Sequence, residues 1–462
     1  MSEPVGPDGR PTTTAEPSGA KPRPLPLPLP SSLSPHRTGP PGRTGPLIWT
    51  GPLGRKGPLG QRRRDRIRAS LRRAAPALLA YTAVRLCGAL VALLACLILG
   101  LAPYDKLLEL WDASWYQHIA AHGYGYEHIS HRRHLVYRDL AFFPLYPGLV
   151  RALSAALPVS FPVAALLVSW VSGLAAAWGI HAVVERLRGR STAIALVVLW
   201  AALPHAVVLS VPYSEALLTA LAAWSLHALL SGRWIWAGAL AALAGLSRPN
   251  GVAVAAAVGL TGLWVLWQRH RRAARGARSP GSTERPPPRP ATARVWGGIL
   301  LAPAGWVGYV LYVGARQGDV LGGYFAVQHD WGSSFDFGLR MSNYVDHISL
   351  DSTPPARLVA VLVVMAGLAL FTLLLTPRWQ SLPGALLVYV GVLLLIAVGG
   401  SSYVSCKPRF LLPAFPLLLP PAVRLVRTAK TRPKAATAFV VTLAGSSVLY
   451  GAYLVTLGGA AL

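Results

Sequence analysis

Residues 109–127, ELWDASWYQHIAAHGYGYE, combine a carboxylate with aromatic and histidine side chains directly after a long apolar segment. Asp112 stands between Trp111 and Trp115, and tryptophans at this position are typical of anchors at the headgroup level of a bilayer. A carboxylate held where lipid meets water can take a proton from a hydroxyl group that arrives from the aqueous side. We therefore predict that Asp112 is a general base. The alternative is a membrane-interface helix that carries an ordinary solvated carboxylate.

Other side chains of this stretch are candidates for binding. Tyr116 follows Asp112 by one helical turn, and His118 shares a helical face with both tryptophans. We assign Tyr116 and His118 to substrate binding. The histidines of this region are His118, His122, His128, His131 and His134. No HExxH motif accompanies them and two arginines lie among them, so we predict no metal site.

Polar residues further along the chain are expected to bind an anion or a sugar. Lys407 and Arg409 flank Pro408 at headgroup depth and suit a phosphate, although they could instead anchor the chain at the interface. Arg248, in SRPNG, lies at a break between two short apolar segments, where it binds phosphate or satisfies freed backbone carbonyls. Glu215, in PYSEALL, is expected to pair with Arg248 or with a sugar hydroxyl, and the structural pairing is favoured.

The segment FAVQHDWG contains the residue types that surround bound sugars. Gln328 and His329 can form hydrogen bonds with hydroxyl groups, and Trp331 offers an aromatic face to the C–H groups of a sugar ring. A loop of this composition can equally pack on itself. We assign all three residues to substrate binding.

Composition indicates that these residues are positioned by membrane helices. Of the 462 residues, 53% are hydrophobic and only 13% are charged. Apolar segments of about 20 residues recur to the C-terminus, the length that crosses a bilayer as a helix. We therefore predict an all-α polytopic membrane domain over residues 76–462. Its eleven candidate spans are 76–101, 163–184, 191–211, 213–231, 234–247, 249–267, 295–314, 357–376, 382–400, 410–426 and 437–458.

The basic residues predict which side of the membrane each loop faces. With a cytoplasmic N-terminus, the Arg-rich linker 268–294 falls inside, and most of the acidic residues fall outside. Two long outer loops, 102–162 and 315–356, then carry the candidate chemistry. Segment 140–157 is expected to form an interfacial helix beside the helix of the opening stretch, because a full span there would turn the basic loop ERLRGR outward.

Segment 1–75 is rich in Pro, Gly and Arg and contains too few apolar residues to fold alone. We predict a disordered cytoplasmic tail, whose basic end either lies on anionic lipid headgroups or stays solvated without a function. The formal charge of +27 lies largely on the predicted cytoplasmic side. We therefore attribute it to the positive-inside rule of membrane orientation and predict no nucleic-acid binding. Arg85, inside the first span, is expected to snorkel to the inner face.

No motif indicates a cofactor. The sequence contains neither a GxGxxG motif nor a P-loop, which disfavours a nucleotide-linked donor. The three cysteines, Cys87, Cys96 and Cys406, cannot form a paired disulfide framework. We therefore predict a protein without cofactors.

Six motifs in this order resemble a known family: WDASWYQHIAAHGYGYE with AFFPLYPGLVR, VPYSEALL, GLSRPNG, GDVLGGYFAVQHDWG and CKPRFLLPAFPLL. Over residues 76–426 the chain is similar to the bacterial branch of the GPI mannosyltransferase II (PIG-V-like) family of GT-C glycosyltransferases. The resemblance implies an inverting transfer of a sugar, usually mannose, from a polyprenyl-phosphate donor at the outer membrane face. It also implies an acidic base early in the first outer loop, which matches Asp112, with Asp105 as the nearest competitor.

Two other classes of function stay open. A secondary transporter or a flippase for a lipid-linked substrate is also polytopic, but its charged groups are expected near the middle of the membrane and its halves are expected to repeat. A GT-C transferase for another sugar is the second alternative, because hydroxyl orientation is recognised by side-chain placement that the sequence does not reveal. The acceptor, whether glycolipid, glycan or protein hydroxyl, is also open.

Overall fold

The structure is a computed structural model that describes residues 59–130, 135–276, 292–348, 353–401 and 403–458. All of these residues belong to one compact unit, Pro58–Leu462. Most of the predicted tail, residues 1–58, and the middle of the predicted linker, residues 277–291, lie outside the described residues, as do His131 and His134.

The first half of the described chain is helical apart from one hairpin. Its helices are α1 (Leu59–Ile98), α2 (Pro103–Leu108), α3 (Asp112–His122), α4 (Leu145–Ala156), α5 (Phe161–Arg188), α6 (Arg190–Ala201), α7 (Glu215–Leu230), α8 (Trp234–Gly245) and α9 (Val252–Gly276). Strands β1 (Glu127–Ser130) and β2 (Leu135–Arg138) pair antiparallel between α3 and α4, and Glu127 lies opposite Arg138.

The second half of the described chain contains nine further α-helices and no named strand. They are α10 (Thr292–Leu301), α11 (Ala304–Arg316), α12 (Gly323–Asp330), α13 (Leu339–Asp346), α14 (Pro355–Leu374), α15 (Gly384–Gly399), α16 (Lys407–Leu411), α17 (Leu419–Thr431) and α18 (Pro433–Thr456). Short 3₁₀ turns at Ala206–Leu209, Pro249–Gly251 and Val404–Cys406 interrupt the apolar segments.

The predicted all-α polytopic membrane fold is confirmed. Six helical segments within the described residues are long and apolar enough to cross a membrane. They are Arg64–Ile98, Phe161–Arg188, Pro249–Ala274, Thr292–Arg316, Pro355–Leu374 and Pro433–Thr456. The count becomes seven if Val404–Leu411 and Phe415–Thr431, which are bent by 78° at their junction, form one span.

All eleven predicted spans fall on helical segments of the described chain, and length and hydropathy select six or seven of them as membrane spans. Four of the predicted spans are the shorter apolar helices α6, α7, α8 and α15, which contain 12 or 16 residues. At 1.5 Å per residue these helices measure roughly 18 to 24 Å, less than the hydrocarbon core of about 30 Å. Most residues of α7 are buried inside the bundle. Sequence hydropathy does not distinguish such a buried helix from a membrane-spanning one.

Both helices expected in the first outer loop are present as α3 and α4. Tyr116 of α3 and Tyr146 of α4 pack in one apolar cluster with the start of α5. The hairpin of β1 and β2 was not predicted. Its β2 residue Arg138 forms ion pairs with Glu127 of β1 and with Asp330 of α12, at 2.9 and 3.0 Å. The second predicted outer loop is thereby joined to the first.

The predicted cytoplasmic loops contact one another. Arg73 forms an ion pair with Glu185 at 3.2 Å, and Arg188 donates a hydrogen bond to Ser381. Glu185 lies near the end of α5, whereas Tyr146 binds the carbonyl of Ala165 near the start of the same helix. The 28 residues of α5 measure about 42 Å, so these contacts lie at opposite ends of the bundle. The structure thus places predicted inner and outer loops at different ends; which end faces the cytoplasm stays a prediction.

Two sequence predictions near α1 need correction. Helix α1 begins at Leu59, so residues 59–75, which were predicted to be disordered, are helical. This segment is rich in Arg, Leu and Ala, which are good helix formers. Arg85 does not snorkel to the inner face. Its guanidinium is buried and donates to the carbonyls of Ala201 and Ala206, which border the break after α6.

Candidate functional site

Four segments that are distant in the sequence meet at one end of the bundle. They are the start of α3, the corner before α7, the corner after α8 and helix α16. We call this end the site end. It brings together Asp112, Glu215, Arg248 and Arg409, and we refer to these four charged residues as the quartet.

The corner after α8 shows how the sequence positions one member of the quartet. Arg248 has an extended backbone, with φ −161° and ψ 159°, between the end of α8 and Pro249. Proline disfavours the helical conformation for the residue before it, which ends the helix here. A Cβ atom on Gly251 would lie 2.2 Å from the carbonyl oxygen of Ala244, so glycine is required where the chain turns back against α8.

The candidate base contacts a candidate phosphate ligand. The Arg409 Nη1 donates a hydrogen bond of 2.8 Å to the Oδ2 of Asp112, across 297 residues of sequence. Both side chains keep some access to solvent, with exposed fractions of 11% for Arg409 and 15% for Asp112. This ion pair therefore forms the accessible part of the quartet.

The second ion pair of the quartet is more deeply buried. The Glu215 carboxylate is 1% exposed, and its Oε1 lies 2.8 Å from Arg248 Nη1 and 3.7 Å from Arg409 Nε. The predicted pairing of Glu215 with Arg248 is therefore present, and the carboxylate also faces the second arginine. Two cations and two carboxylates compensate one another, as buried charges require.

Two buried atoms of the quartet have no hydrogen-bond partner among the described residues: the Oε2 of Glu215 and the Nε of Arg409. Buried polar atoms in native proteins are nearly always hydrogen-bonded to protein, water or ligand. The quartet thus retains bonding capacity that polar groups of a substrate can use.

Ser214 is a site residue that the sequence analysis missed. Its Oγ accepts a hydrogen bond of 2.9 Å from Arg248 and shares another, of 2.7 Å, with the phenol of Tyr116. Burial is the largest effect on Tyr116 and raises its pKa to about 12. The phenol consequently stays neutral and positions Ser214. In the sequence, the feature that pointed to Ser214 as a site residue was its position directly before Glu215.

The backbone directly before the candidate base is strained. Trp111 has φ 53° and ψ −117°, a left-handed conformation that bulky residues rarely adopt. Ser114 donates a side-chain hydrogen bond of 2.8 Å to the Trp111 carbonyl, and Asp112 begins α3. Strained residues of this kind concentrate at functional sites.

Lys407 lies apart from the ion pairs of the quartet. It is 1% exposed, and its Nζ donates to the carbonyls of Ala397 and Gly400, at 2.8 and 2.6 Å. These carbonyls belong to the C-terminal end of α15, where helical carbonyls have no intrahelical partner. The observed contacts favour a structural role for Lys407, and the phosphate role predicted for it stays a prediction.

Aromatic side chains from both predicted outer loops, one of them on α3, form a cluster. Trp331 packs edge-on against Trp115, with ring centroids 5.0 Å apart, and also contacts Phe142 and Tyr137. Its indole Nε1 donates to the carbonyl of Arg138. We call Trp115, Tyr137, Phe142 and Trp331 the aromatic cluster.

The other predicted binding residues lie around this cluster. Gln328 donates a hydrogen bond of 3.1 Å to the carbonyl of Ala141, and His329 is exposed at the end of α12. His118 lies against the rings of His122 and Tyr126, with centroids 4.6 and 4.5 Å away. Among the described residues, none of these three forms a hydrogen bond with a quartet side chain.

The nearest alternative to Asp112 has a different environment. Asp105 is exposed on α2, and its side chain forms no hydrogen bond or ion pair with the described residues. Asp112 instead contacts Arg409. Within the described residues, no three His, Cys, Asp or Glu side chains are grouped so that they could hold a metal ion.

An apolar cavity of about 330 Å³ lies between α1, α2 and α5. Leu108 of its wall accepts a hydrogen bond from Gln117 of α3, and Val211 of its wall directly precedes the corner that carries Ser214 and Glu215. The cavity therefore borders the segments that build the quartet.

No family model and no curated protein matches this chain. Among solved structures, the chain is similar to an apo oligosaccharyltransferase from Archaeoglobus fulgidus, with 12% sequence identity and a TM-score of 0.43. The match covers 81% of this chain and 55% of the archaeal chain, so this chain spans about half the length of that protein. A similarity at this level assigns no activity or substrate to this chain.

Proposed function

We propose that this membrane protein is a GT-C-type glycosyltransferase. It transfers a sugar, with mannose as the first candidate, from a polyprenyl-phosphate donor to an acceptor hydroxyl at the outer face of the cytoplasmic membrane. The contact of 2.8 Å between Asp112 and Arg409 carries this proposal. It joins a candidate base to a candidate phosphate ligand from opposite parts of the chain.

The reaction requires few protein groups. The acceptor oxygen attacks the anomeric carbon while the bond from that carbon to the donor phosphate breaks on the opposite face, which inverts the configuration. Asp112 accepts the proton of the hydroxyl, and arginine stabilises the charge that develops on the leaving phosphate. Glu215 holds the two arginines in place. A protein nucleophile is not needed.

Two neighbouring features support a donor that combines lipid and sugar. The apolar cavity borders the quartet segments and suits part of an isoprenoid chain. The aromatic cluster includes Trp115 of α3 and offers ring faces to the C–H groups of a sugar. Gln328, His329 and His118, around this cluster, are proposed to contribute hydrogen bonds to sugar hydroxyls. The acceptor is proposed to be a glycolipid, a glycan or a protein hydroxyl.

The test is sugar transfer by purified protein reconstituted in liposomes. Radiolabelled polyprenyl-phosphate mannose is supplied with membrane lipid extract and cell-wall glycan as acceptors, and polyprenyl-phosphate glucose and arabinose are tested in parallel. Transfer of label with mannose supports the proposal, whereas transfer with another donor alone corrects the sugar. Uptake driven by an ion gradient, without transfer, would instead support a transporter.

A matched pair of variants tests the assigned base. Asp112→Asn keeps the size of the side chain and removes the proton acceptor, so turnover should fall roughly 10²- to 10⁴-fold. Asp105→Asn makes the same chemical change at an exposed residue outside the quartet and should retain activity. If Asp105→Asn abolishes transfer while Asp112→Asn retains it, the base lies on α2.

A further inference from the structure

The two ion pairs of the quartet differ in how easily a ligand can reach them. Glu215 and Arg248 are almost fully buried, with exposed side-chain fractions of 1% and 7%. Arg248 also donates to the buried hydroxyl of Ser214. Asp112 and Arg409 are 15% and 11% exposed, so Asp112 is the most exposed side chain of the quartet.

Arg409 faces two carboxylates at unequal distances. Its Nη1 lies 2.8 Å from Asp112, and its Nε lies 3.7 Å from Glu215. The quartet is already electrically neutral, so an anionic ligand would add uncompensated negative charge to a poorly solvated site. That cost is lowest if one carboxylate leaves its arginine as the anion arrives. Asp112 is the carboxylate that can move toward solvent, because Glu215 is enclosed.

We propose that the ion pair between Asp112 and Arg409 is a latch that the donor phosphate opens. The phosphate replaces Asp112 as the partner of Arg409, and the released carboxylate becomes available to accept the proton of the acceptor hydroxyl. Glu215 stays beside Arg409 and keeps the guanidinium in position during the exchange. This inference rests on the proposed function, and it makes donor binding the event that activates the base.

The backbone at the start of α3 fits a segment that changes conformation. Trp111 is held in a left-handed conformation directly before Asp112, and its side chain is exposed. Loss of the contact between Asp112 and Arg409 removes a constraint on this residue and lets the first turn of α3 relax.

Phosphate affinity tests the latch without any catalytic readout. Geranyl phosphate, a short isoprenyl phosphate, is titrated into the full-length protein in detergent. Asp112→Asn removes the competitor for Arg409 and should bind the probe about tenfold more tightly than the wild type, equivalent to about 1.4 kcal/mol. Asp105→Asn removes the same charge from an exposed residue of the same loop and should leave the affinity unchanged.

A double-mutant cycle separates the latch from simple repulsion between Asp112 and phosphate. If Asp112 acts by occupying Arg409, then Asp112→Asn gives no gain of affinity in an Arg409→Gln background. A gain of equal size in both backgrounds overturns the latch. Equal or weaker binding by Asp112→Asn in the native background overturns it as well.

Hydrogen exchange of the wild type provides a test that does not depend on variants. The first turn of α3 should exchange faster with geranyl phosphate bound than without it, and slower or unchanged exchange contradicts the latch. Failure of the latch is distinguishable from failure of the proposed function. Label transfer by the wild type decides the function, whereas affinity and exchange decide the latch, and the absence of probe binding in every variant rejects the latch.

Discussion

The buried carboxylate of Glu215 is expected to contribute strongly to the stability of the protein. Glu215 is 1% exposed and lies beside two arginines, at 2.8 and 3.7 Å. Glu215→Gln leaves these cations with one carboxylate, Asp112, between them. Breaking a buried ion pair by removing one partner costs about 3–5 kcal/mol, because the remaining charge is buried without compensation. We therefore expect the free energy of unfolding of Glu215→Gln to fall by about this amount.

Glu185 provides the matched control at the opposite end of the bundle. It pairs with Arg73 at 3.2 Å, but the two side chains are 22% and 51% exposed. Exposed ion pairs contribute about 0–1 kcal/mol, so Glu185→Gln should have little effect. The double variant Glu215→Gln/Arg248→Gln should recover most of the stability that Glu215→Gln loses. It removes both partners of the buried ion pair, and Arg409 keeps Asp112 as its partner.

Unfolding of purified protein in mixed micelles, titrated with a denaturing detergent, measures these differences on one scale. Each variant is compared with the wild type at the same protein and lipid concentrations. Equal losses in Glu215→Gln and Glu185→Gln would refute the reasoning, because burial would then not determine the cost. Failure of Arg248→Gln to restore stability would show that Glu215 acts through contacts other than this ion pair.

Further predictions concern the base, the membrane orientation and the two cations of α16. Asp112→Glu preserves the charge and moves it by one methylene, so kcat should fall at least about tenfold in the transfer assay. A cysteine at position 128 should react with a membrane-impermeant maleimide on intact cells, whereas a cysteine at 280 should be protected; the reverse pattern contradicts the orientation. Arg409→Gln should raise KM for the donor and lower kcat, whereas Lys407→Gln should mainly lower thermal stability, since it leaves two buried carbonyls without a donor. Equal kinetic effects of both changes would support the predicted phosphate-binding role of Lys407.

Sequence reasoning found the members of the quartet and the pairing of Glu215 with Arg248, but not the contact between Asp112 and Arg409. Asp112 was selected because the tryptophans on either side of it indicate the headgroup level, and Arg409 because a cation at headgroup depth suits a phosphate. Their contact spans 297 residues, so no helical or strand period connects them. The pairing of Glu215 with Arg248 was predicted because an unpaired carboxylate at depth is unfavourable.

The two cations of KPR show where a sequence motif is ambiguous. Lys407 and Arg409 are two residues apart on α16, and residues with this spacing point to different sides of a helix. Only one of them can therefore reach a given site, and charge alone does not indicate which. The predicted snorkelling of Arg85 was wrong because its partners are backbone carbonyls, which the charge pattern of the sequence does not reveal. Pro204 interrupts the segment after α6, and the carbonyls bordering that break gave Arg85 a buried partner.

Charge compensation connects the stability of this site to its proposed chemistry. Two arginines at the site end can be buried only with carboxylates beside them, so phosphate-binding cations in the free protein must already be paired. In the proposed latch, a phosphate therefore binds by partner exchange and not by filling an uncompensated positive site. Because the displaced partner is the candidate base, the exchange that admits the donor also supplies the proton acceptor. A site with the same arginines but an immobile carboxylate in place of Asp112 would bind phosphate poorly. It could not couple donor binding to release of the base.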